Sequence, residues 1–264
     1  MSERVPEPEP TDEAAVLRCE LAATRAELDQ LIYLASHDLR APLRGITHLS
    51  DWIQEDIALR VAAEDRAPID ANFKLLKSRV SRLERLVDGL LAYSRAGRGV
   101  FDQPTDTGAS LHRICEEVMR TLGDRLTPAE VASVALVPEA GADVHLGEEA
   151  ALRTVLGQLL ANAARHAVGD DGRVVVTIGS RAAGDRLEVT VGDDGPGIDP
   201  RYAQRVWELF QTLESRDRLE GAGVGLAIVK RLVEGRGGTV SLDRAVAGGA
   251  AFRFTWPGMP HPAP

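Results

Sequence analysis

LASHDLRAPLRGI, residues 34–46, places a single histidine, His37, inside what otherwise reads as a long amphipathic helix. An acid, Asp38, follows it directly, and a proline, Pro42, stands five positions on. Proline has no N–H for the carbonyl four residues back, and its ring crowds that carbonyl, so a helix bends or breaks there. Taken alone, the stretch reads equally well as a core or surface histidine followed by an incidental kink. The sequence on either side decides.

Upstream, Leu17, Leu21, Thr24, Leu28, Leu31 and Ala35 recur at alternating steps of four and three, a coiled-coil seam weakened at Thr24. The pattern runs into His37 without a break. Downstream, Leu43, Ile46, Leu49, Ile53 and Ile57 continue the apolar face. The polar stretch VAAEDRAP, residues 61–68, offers a turn, with Pro68 near the start of the next helix. Phe73, Leu76, Val80, Leu83, Val87 and Leu90 keep the same spacing, flanked by Leu75, Leu86 and Leu91, until RAGRG ends the helix. Residues 12–96 therefore read as a helical hairpin. Its apolar stripes are too wide for two helices to bury against each other, so a homodimer forming a four-helix bundle is expected. A monomeric hairpin packed on the rest of the chain is the alternative.

Composition narrows the function classes. The chain has 264 residues, a hydrophobic fraction of 44% and a net charge of -9, enough apolar content for real cores. The acidic balance argues against general affinity for nucleic acid or anionic membrane. No apolar run approaches a membrane span, and the start MSERVPEPEPTDE lacks the apolar core of a signal peptide, so a cytoplasmic protein is expected. The two cysteines, Cys19 and Cys115, make neither a disulfide framework nor a metal-ligand cluster. Residues 1–11 are a Pro/Glu tail expected to be disordered, and 258–264 form a second tail.

Beyond a linker at 97–109 the texture changes to alternating helices and strands. SLHRICEEVMRTLGDRL reads as a helix capped by Ser110, VASVALV as a strand, and GEEAALRTVLGQLLANAARHA as a long helix. RVVVTIGSR and RLEVTVGDD form a hairpin, GVGLAIVKRLVEGRGG a helix entered from a glycine-rich loop, and TVSLDRA with AAFRFTWP a second hairpin. Residues 110–257 thus form an α/β domain, a largely antiparallel sheet covered on one face by helices, and the fold class of the whole is α+β.

Two loops and one helix carry chemistry. DDGPGI, Asp193 to Ile198, follows a strand, and its leading carboxylate can accept the exocyclic amine of adenine. GAGVGL, Gly221 to Leu226, opens a helix whose free N–H groups and dipole favour phosphate. No Gly-Lys-Ser/Thr makes it a Walker loop, and no preceding strand makes it a dinucleotide fingerprint. On the helix between, Asn162, Arg165 and His166 lie a turn or less apart, with Gln158 one turn earlier. An asparagine among leucines and alanines needs its amide satisfied, and coordinating Mg²⁺ through its oxygen would do so. An ordinary helix with a polar face is the competing reading.

In order, His37-Asp38-x-x-x-Pro42, Asn162-x-x-Arg165-His166, Asp193-x-Gly195-x-Gly197, Phe210 and Gly221-x-Gly223-x-Gly225-Leu226 resemble the H, N, G1, F and G2 boxes of the sensor histidine kinases of two-component signalling. The resemblance covers residues 12–257, and the hairpin looks most like that of the phytochrome-type kinases. It implies a dimerisation and phosphotransfer hairpin followed by a Bergerat-fold ATP-binding α/β sandwich. Carried over, His37 would be the phosphoacceptor, with Asp38 orienting its ring. Asn162 would hold Mg²⁺ with the triphosphate, beside Arg165 and His166. Asp193 would bind the adenine amine, Gly195 and Gly197 would admit the base, and Phe210 would stand at the base of a lid, residues 211–220. Gly221, Gly223, Gly225 and Leu226 would frame the phosphates. The implied cofactors are ATP and Mg²⁺, and the implied partner is a separate response-regulator receiver domain. Signal input is expected from a separate sensor protein or a segment outside this sequence. A pseudo-kinase scaffold and a non-kinase ATPase of the same superfamily are the competing functions.

Four positions depart from the pattern. Ala41 stands where many relatives carry Thr or Asn, a position associated with dephosphorylating the partner. Ala250 and Ala251 replace hydroxyl residues near adenine, and Gln158 replaces an asparagine of the N box. Lys74, Lys77, Arg79, Arg82 and Arg85 give the second helix a basic face, either simply solvated or a docking surface for an acidic receiver.

Overall fold

The computed structural model describes residues 12–99, 109–124, 126–169, 172–212, 222–245 and 248–257. The two tails, most of the linker, Gly221 and the lid beyond Thr212 lie outside the described residues.

Helix α1 spans Asp12–Arg60 and runs through Pro42 without interruption. Helix α2 spans Ala63–Gly97. The turn between them is Val61–Ala62 alone, shorter than the polar stretch suggests, and Pro68 lies inside α2 rather than at its start. The helices are antiparallel neighbours. Leu43, Val80, Val87 and Leu91 bury against one another with Tyr33 packed alongside. Polar cross-links follow the same register: Lys77 to Asp51 at 2.7 Å, Arg40 to Asp88 at 2.8 Å, and the Ser94 hydroxyl donating to the Asp29 carbonyl at 2.7 Å. Lys77 is therefore turned into the hairpin and leaves the basic face read from the sequence. The seam stays uncovered within one chain, with Leu17, Leu21, Leu28 and Leu31 exposed, the last at 64%.

The second region is a five-stranded sheet in the order β1-β2-β3-β5-β4. Its strands are β1 (Val134–Pro138), β2 (Val174–Ala183), β3 (Arg186–Asp193), β4 (Val240–Arg244) and β5 (Ala250–Pro257). Only β1 with β2 is parallel; the other three pairings are antiparallel. Helices α3 (Leu111–Thr121), α5 (Glu149–His166) and α6 (Gly225–Glu234) bury leucine, isoleucine and valine side chains in one core with the sheet, including the fully buried Leu152, Leu156, Leu160, Ile178, Phe254 and Trp256. Ser110 caps α3 as expected, its hydroxyl accepting from the Arg113 N–H. The helix expected over residues 110–126 ends at Thr121 and is followed by a single 3-10 turn, Leu122–Asp124, and the start of the first strand differs as well. Val131 to Ser133 belong to a short helix, α4 (Pro128–Ser133), and the strand begins at Val134. Thr127 and Glu130 form a reciprocal capping box with Pro128 at the first helical turn, and that local hydrogen bonding overrides the β-branched run.

The sheet order places the C-terminal end of β3 next to the start of β5. Helices α5 and α6 pack on each other and share one core with the sheet, and the C-terminal part of α5, the end of β3 and the N-terminus of α6 line one cavity.

Candidate functional site

The cavity has a volume of about 820 Å³ and is lined by Asn162, Arg165 and His166 from α5, Asp193, Gly197 and Ile198 after β3, and Gly223, Gly225 and Leu226 at α6. Residues separated by more than sixty positions in sequence are thus brought to one wall. Gly195 and Phe210 stand beside the cavity rather than in its lining.

Asp193 ends β3 and is 7% exposed. Its Oδ1 accepts the N–H groups of Gly195 and Ala250, each at 3.1 Å, and Oδ2 has no partner among the described residues. Burial pushes its carboxyl above the ordinary aspartate range, and the two backbone donors oppose that shift. The turn after it needs glycine for space: a β-carbon at Gly195 would stand 2.6 Å from the Cα of Ala167 at the end of α5. In sequence, the GGAAF segment at 248–252 stands out only for its lack of hydroxyls. In the structure its backbone supplies the Ala250 N–H to Asp193, and Gly249 lies so close to that carboxylate that no side chain fits.

Asn162 is half-buried in the lining, and its amide has no hydrogen-bond partner among the described residues. Arg165 approaches Glu130 of α4 at 3.9 Å. Glu130 is held below the usual glutamate range, first by the N–H of Thr127 and then by its hydroxyl. Gln158 lies one turn before Asn162 and fills the space above Gly225: a β-carbon there would meet its Oε1 at 2.8 Å. Phe210 adopts φ 62°, an unfavourable left-handed conformation for a bulky residue, and is 45% exposed. Its N–H donates to the Gly223 carbonyl at 2.8 Å, pinning the two flanks of the expected lid to each other.

His37 is elsewhere. It sits exposed on α1, its Nδ1 3.2 Å from Asp38 Oδ1, and does not line the cavity. The hairpin residues that do are on α2: Arg85, Asp88, Gly89 and Ala92. Sequence reading missed all four as site residues, because nothing local marks a helix face that is covered by another domain.

No group of three or more His, Cys, Asp or Glu side chains suited to a metal exists among the described residues. No described helix is long and apolar enough to cross a membrane.

Residues 147–260 match the family model for histidine kinase-, DNA gyrase B- and HSP90-like ATPases. Cyanobacterial phytochrome B of Nostoc sp. is 32% identical over 249 residues, spanning 92% of this chain and 31% of that protein. Sensor protein RstB of Escherichia coli is 32% identical over 243 residues, 88% of this chain and 49% of that protein. The chain belongs to the sensor histidine kinases. Its fold agrees: full-length ShkA in complex with AMPPNP aligns over 89% of this histidine kinase chain and 47% of that one, at a TM-score of 0.57 and 24% identity. The sensor histidine kinase chain spans a quarter to a half of the length of these curated relatives, from 23% of sensor histidine kinase AruS to 49% of RstB. Its helical hairpin and α/β ATP-binding domain are the part shared.

Proposed function

We propose that the chain is an ATP-dependent protein-histidine kinase that autophosphorylates His37 and passes the phosphoryl group to an aspartate of a separate response regulator, working as a cytoplasmic homodimer. The observation that carries the reading is the convergence of Asp193, Asn162 and the α6 N-terminus on one cavity, in a chain whose hairpin presents an exposed, carboxylate-bonded histidine. Asp193 Oδ2 is free to accept the adenine amine. The N–H groups at Gly223 to Leu226 and the α6 dipole favour phosphate.

Mg²⁺ fits as an ion shared with the triphosphate rather than a resident of a protein cage. The described residues offer no carboxylate cluster, and Asn162 supplies one free amide oxygen. When bound, the ion neutralises charge on the phosphates. The chain's own residues position the reactants, which is most of the catalysis in phosphoryl transfer.

With Nδ1 of His37 donating to Asp38, the lone pair of Nε2 is the nucleophile. It forms a bond to the γ-phosphorus as the bond from that phosphorus to the β,γ-bridging oxygen breaks. ADP leaves, and Asp38 stabilises the positive charge developing on the ring. Because α2 rather than His37 faces the cavity, transfer requires the hairpin and ATP-binding domain to move apart from this arrangement, or the histidine of the partner chain to enter.

Incubation with γ-labelled ATP and Mg²⁺ tests the reading. An acid-labile, base-stable label is expected, absent from His37→Gln, whose nucleotide titration stays that of the wild type. An unlabelled wild type that binds ATP would make the chain a pseudo-kinase scaffold. Turnover of ATP without a phosphoprotein would make it an ATPase of the superfamily.

A further inference from the structure

Two glycines, Gly89 and Gly97, lie within α2, where glycine is among the poorest helix formers. Both are on the face turned toward α6. A β-carbon at Gly89 would stand 2.8 Å from Val224 Cγ2 and 3.4 Å from Ala222 Cβ, and one at Gly97 would collide with the Arg231 guanidinium. Between them, Tyr93 lies under that guanidinium, 4.2 Å from ring centre to Cζ. Gly89 thus meets the loop before α6, and Tyr93 meets the end of α6, so the two helices run side by side in the same direction. One turn before Gly89, α2 passes beyond the N-terminus of α6, over the mouth framed by Gly223 and Gly225. Arg85 and Asp88 line the cavity there.

The charges at this edge are not balanced. Asp88 is engaged by Arg40 at 2.8 Å. Arg85 donates to the Ser81 hydroxyl at 2.9 Å and has no carboxylate partner among the described residues. An arginine without a counter-ion, at the end of the cavity where backbone N–H groups already favour anions, fits a phosphate oxygen in charge and in fork geometry.

We propose that the helical hairpin completes the nucleotide site, with Arg85 as a ligand of the terminal phosphates of ATP in the docked arrangement that the absence of a side chain at Gly89 permits. This rests on reading the cavity as the ATP site. The consequence is specific: docking of the hairpin is coupled to the triphosphate, not to the adenosine moiety.

The test uses the full chain with Mg²⁺, titrated with the β,γ-imido analogue of ATP and, separately, with AMP. Arg85→Gln, at an exposed position, is expected to bind the ATP analogue roughly tenfold more weakly while AMP affinity stays unchanged. Gly89→Leu keeps Arg85 but forces α2 off Ala222 and Val224, and is expected to show the same selective loss with an unaltered circular dichroism spectrum. Unchanged affinity for the ATP analogue in either variant overturns the proposal, as does an equal loss for AMP in Arg85→Gln. If Asp193→Asn abolishes binding while Arg85→Gln does not weaken it, only this inference fails. If the wild type binds no adenine nucleotide, the reading of the cavity fails with it.

Discussion

Arg231 of α6 and Asp29 of α1, 202 residues apart in sequence, form an ion pair that holds the ATP-binding domain against the hairpin. The aspartate is 4% exposed. Its backbone carbonyl accepts the Ser94 hydroxyl, and Arg231 stacks on Tyr93, so both helices of the hairpin grip one guanidinium. Asp29 lies two turns before His37 on the same helix, between the exposed seam residues Leu28 and Leu31. A rotation of α1 about the seam would therefore strain this pair directly.

Removing one partner leaves the other charge buried without compensation, a cost of about 3–5 kcal/mol. Arg231→Met is expected to release that energy by undocking rather than by unfolding, since of the hairpin only Ala96 and Tyr93 join the core of the ATP-binding domain, while Leu43, Val80, Val87 and Leu91 bury against one another. Hydrogen exchange followed by mass spectrometry should show faster exchange over residues 86–97 and 222–231 with unchanged helix content. Protection equal to the wild type would show that the pair does not hold the domains together.

Asp38→Asn retains the hydrogen-bonding shape beside His37 but removes the carboxylate that, in the proposed mechanism, stabilises a charged ring. Autophosphorylation is expected to slow on the order of a hundredfold, with nucleotide affinity unchanged because Asp38 is remote from the cavity. Rapid-quench labelling measures the rate, and a wild-type rate would end the role given to Asp38.

Asn162→Ala and Asp193→Asn each remove one cavity-lining polar group that the proposed function places against the nucleotide or its ion. Each is expected to weaken Mg-ATP binding by about tenfold to a hundredfold, the worth of a hydrogen bond to a charged group. Asp193 also sets a pH dependence. Its carboxyl is raised by burial, and in the proposed function it accepts the adenine amine in its ionised form. Affinity should therefore fall as pH drops through a range above that of an ordinary aspartate. The folding linkage runs in the opposite sense, because a raised carboxyl binds its proton more tightly folded than unfolded and costs stability as pH rises through the same window. Calorimetric titrations across pH 4–7, with Asp193→Asn as the reference, separate binding from unfolding.

The uncovered seam predicts the oligomeric state. Leu28 and Leu31 are 56% and 64% exposed in one chain, and a second hairpin would bury them. Light scattering at micromolar concentration should give the mass of two chains, and Leu28→Glu with Leu31→Glu should give one. A monomeric wild type would contradict the dimer.

Ala41, one turn past His37, has a methyl group that neither donates nor accepts a hydrogen bond. If the chain acts on a response regulator as proposed, a side chain at this position that can hold water would aid hydrolysis of the phospho-regulator, so weak phosphatase activity is expected, rising several-fold in Ala41→Thr. The decay of purified phospho-regulator with and without the protein and ADP decides it.

The local features were legible in the sequence because their causes are local. Heptad spacing marks α1 and α2, the Ser110 cap marks α3, and alternating apolar residues mark β2, β3 and β5. An Asp before Gly-x-Gly and a glycine run before a helix carry their chemistry in adjacent residues. The Thr127–Glu130 capping box is a local signal too, and it moves the start of β1 to Val134. What only the tertiary structure decided depends on which distant surfaces meet. Nothing near Asp29 in sequence marks it as the partner of Arg231. Gly89 reads as a flaw in a helix until Val224 is found against it. Arg85 reads as one more cation on a basic face, and Lys77 as another, until packing turns Lys77 onto Asp51 and leaves Arg85 at the edge of the cavity. Helix periodicity is written within a few turns of chain, whereas the pairing of one domain's charges with another's is set by how the two folded bodies dock.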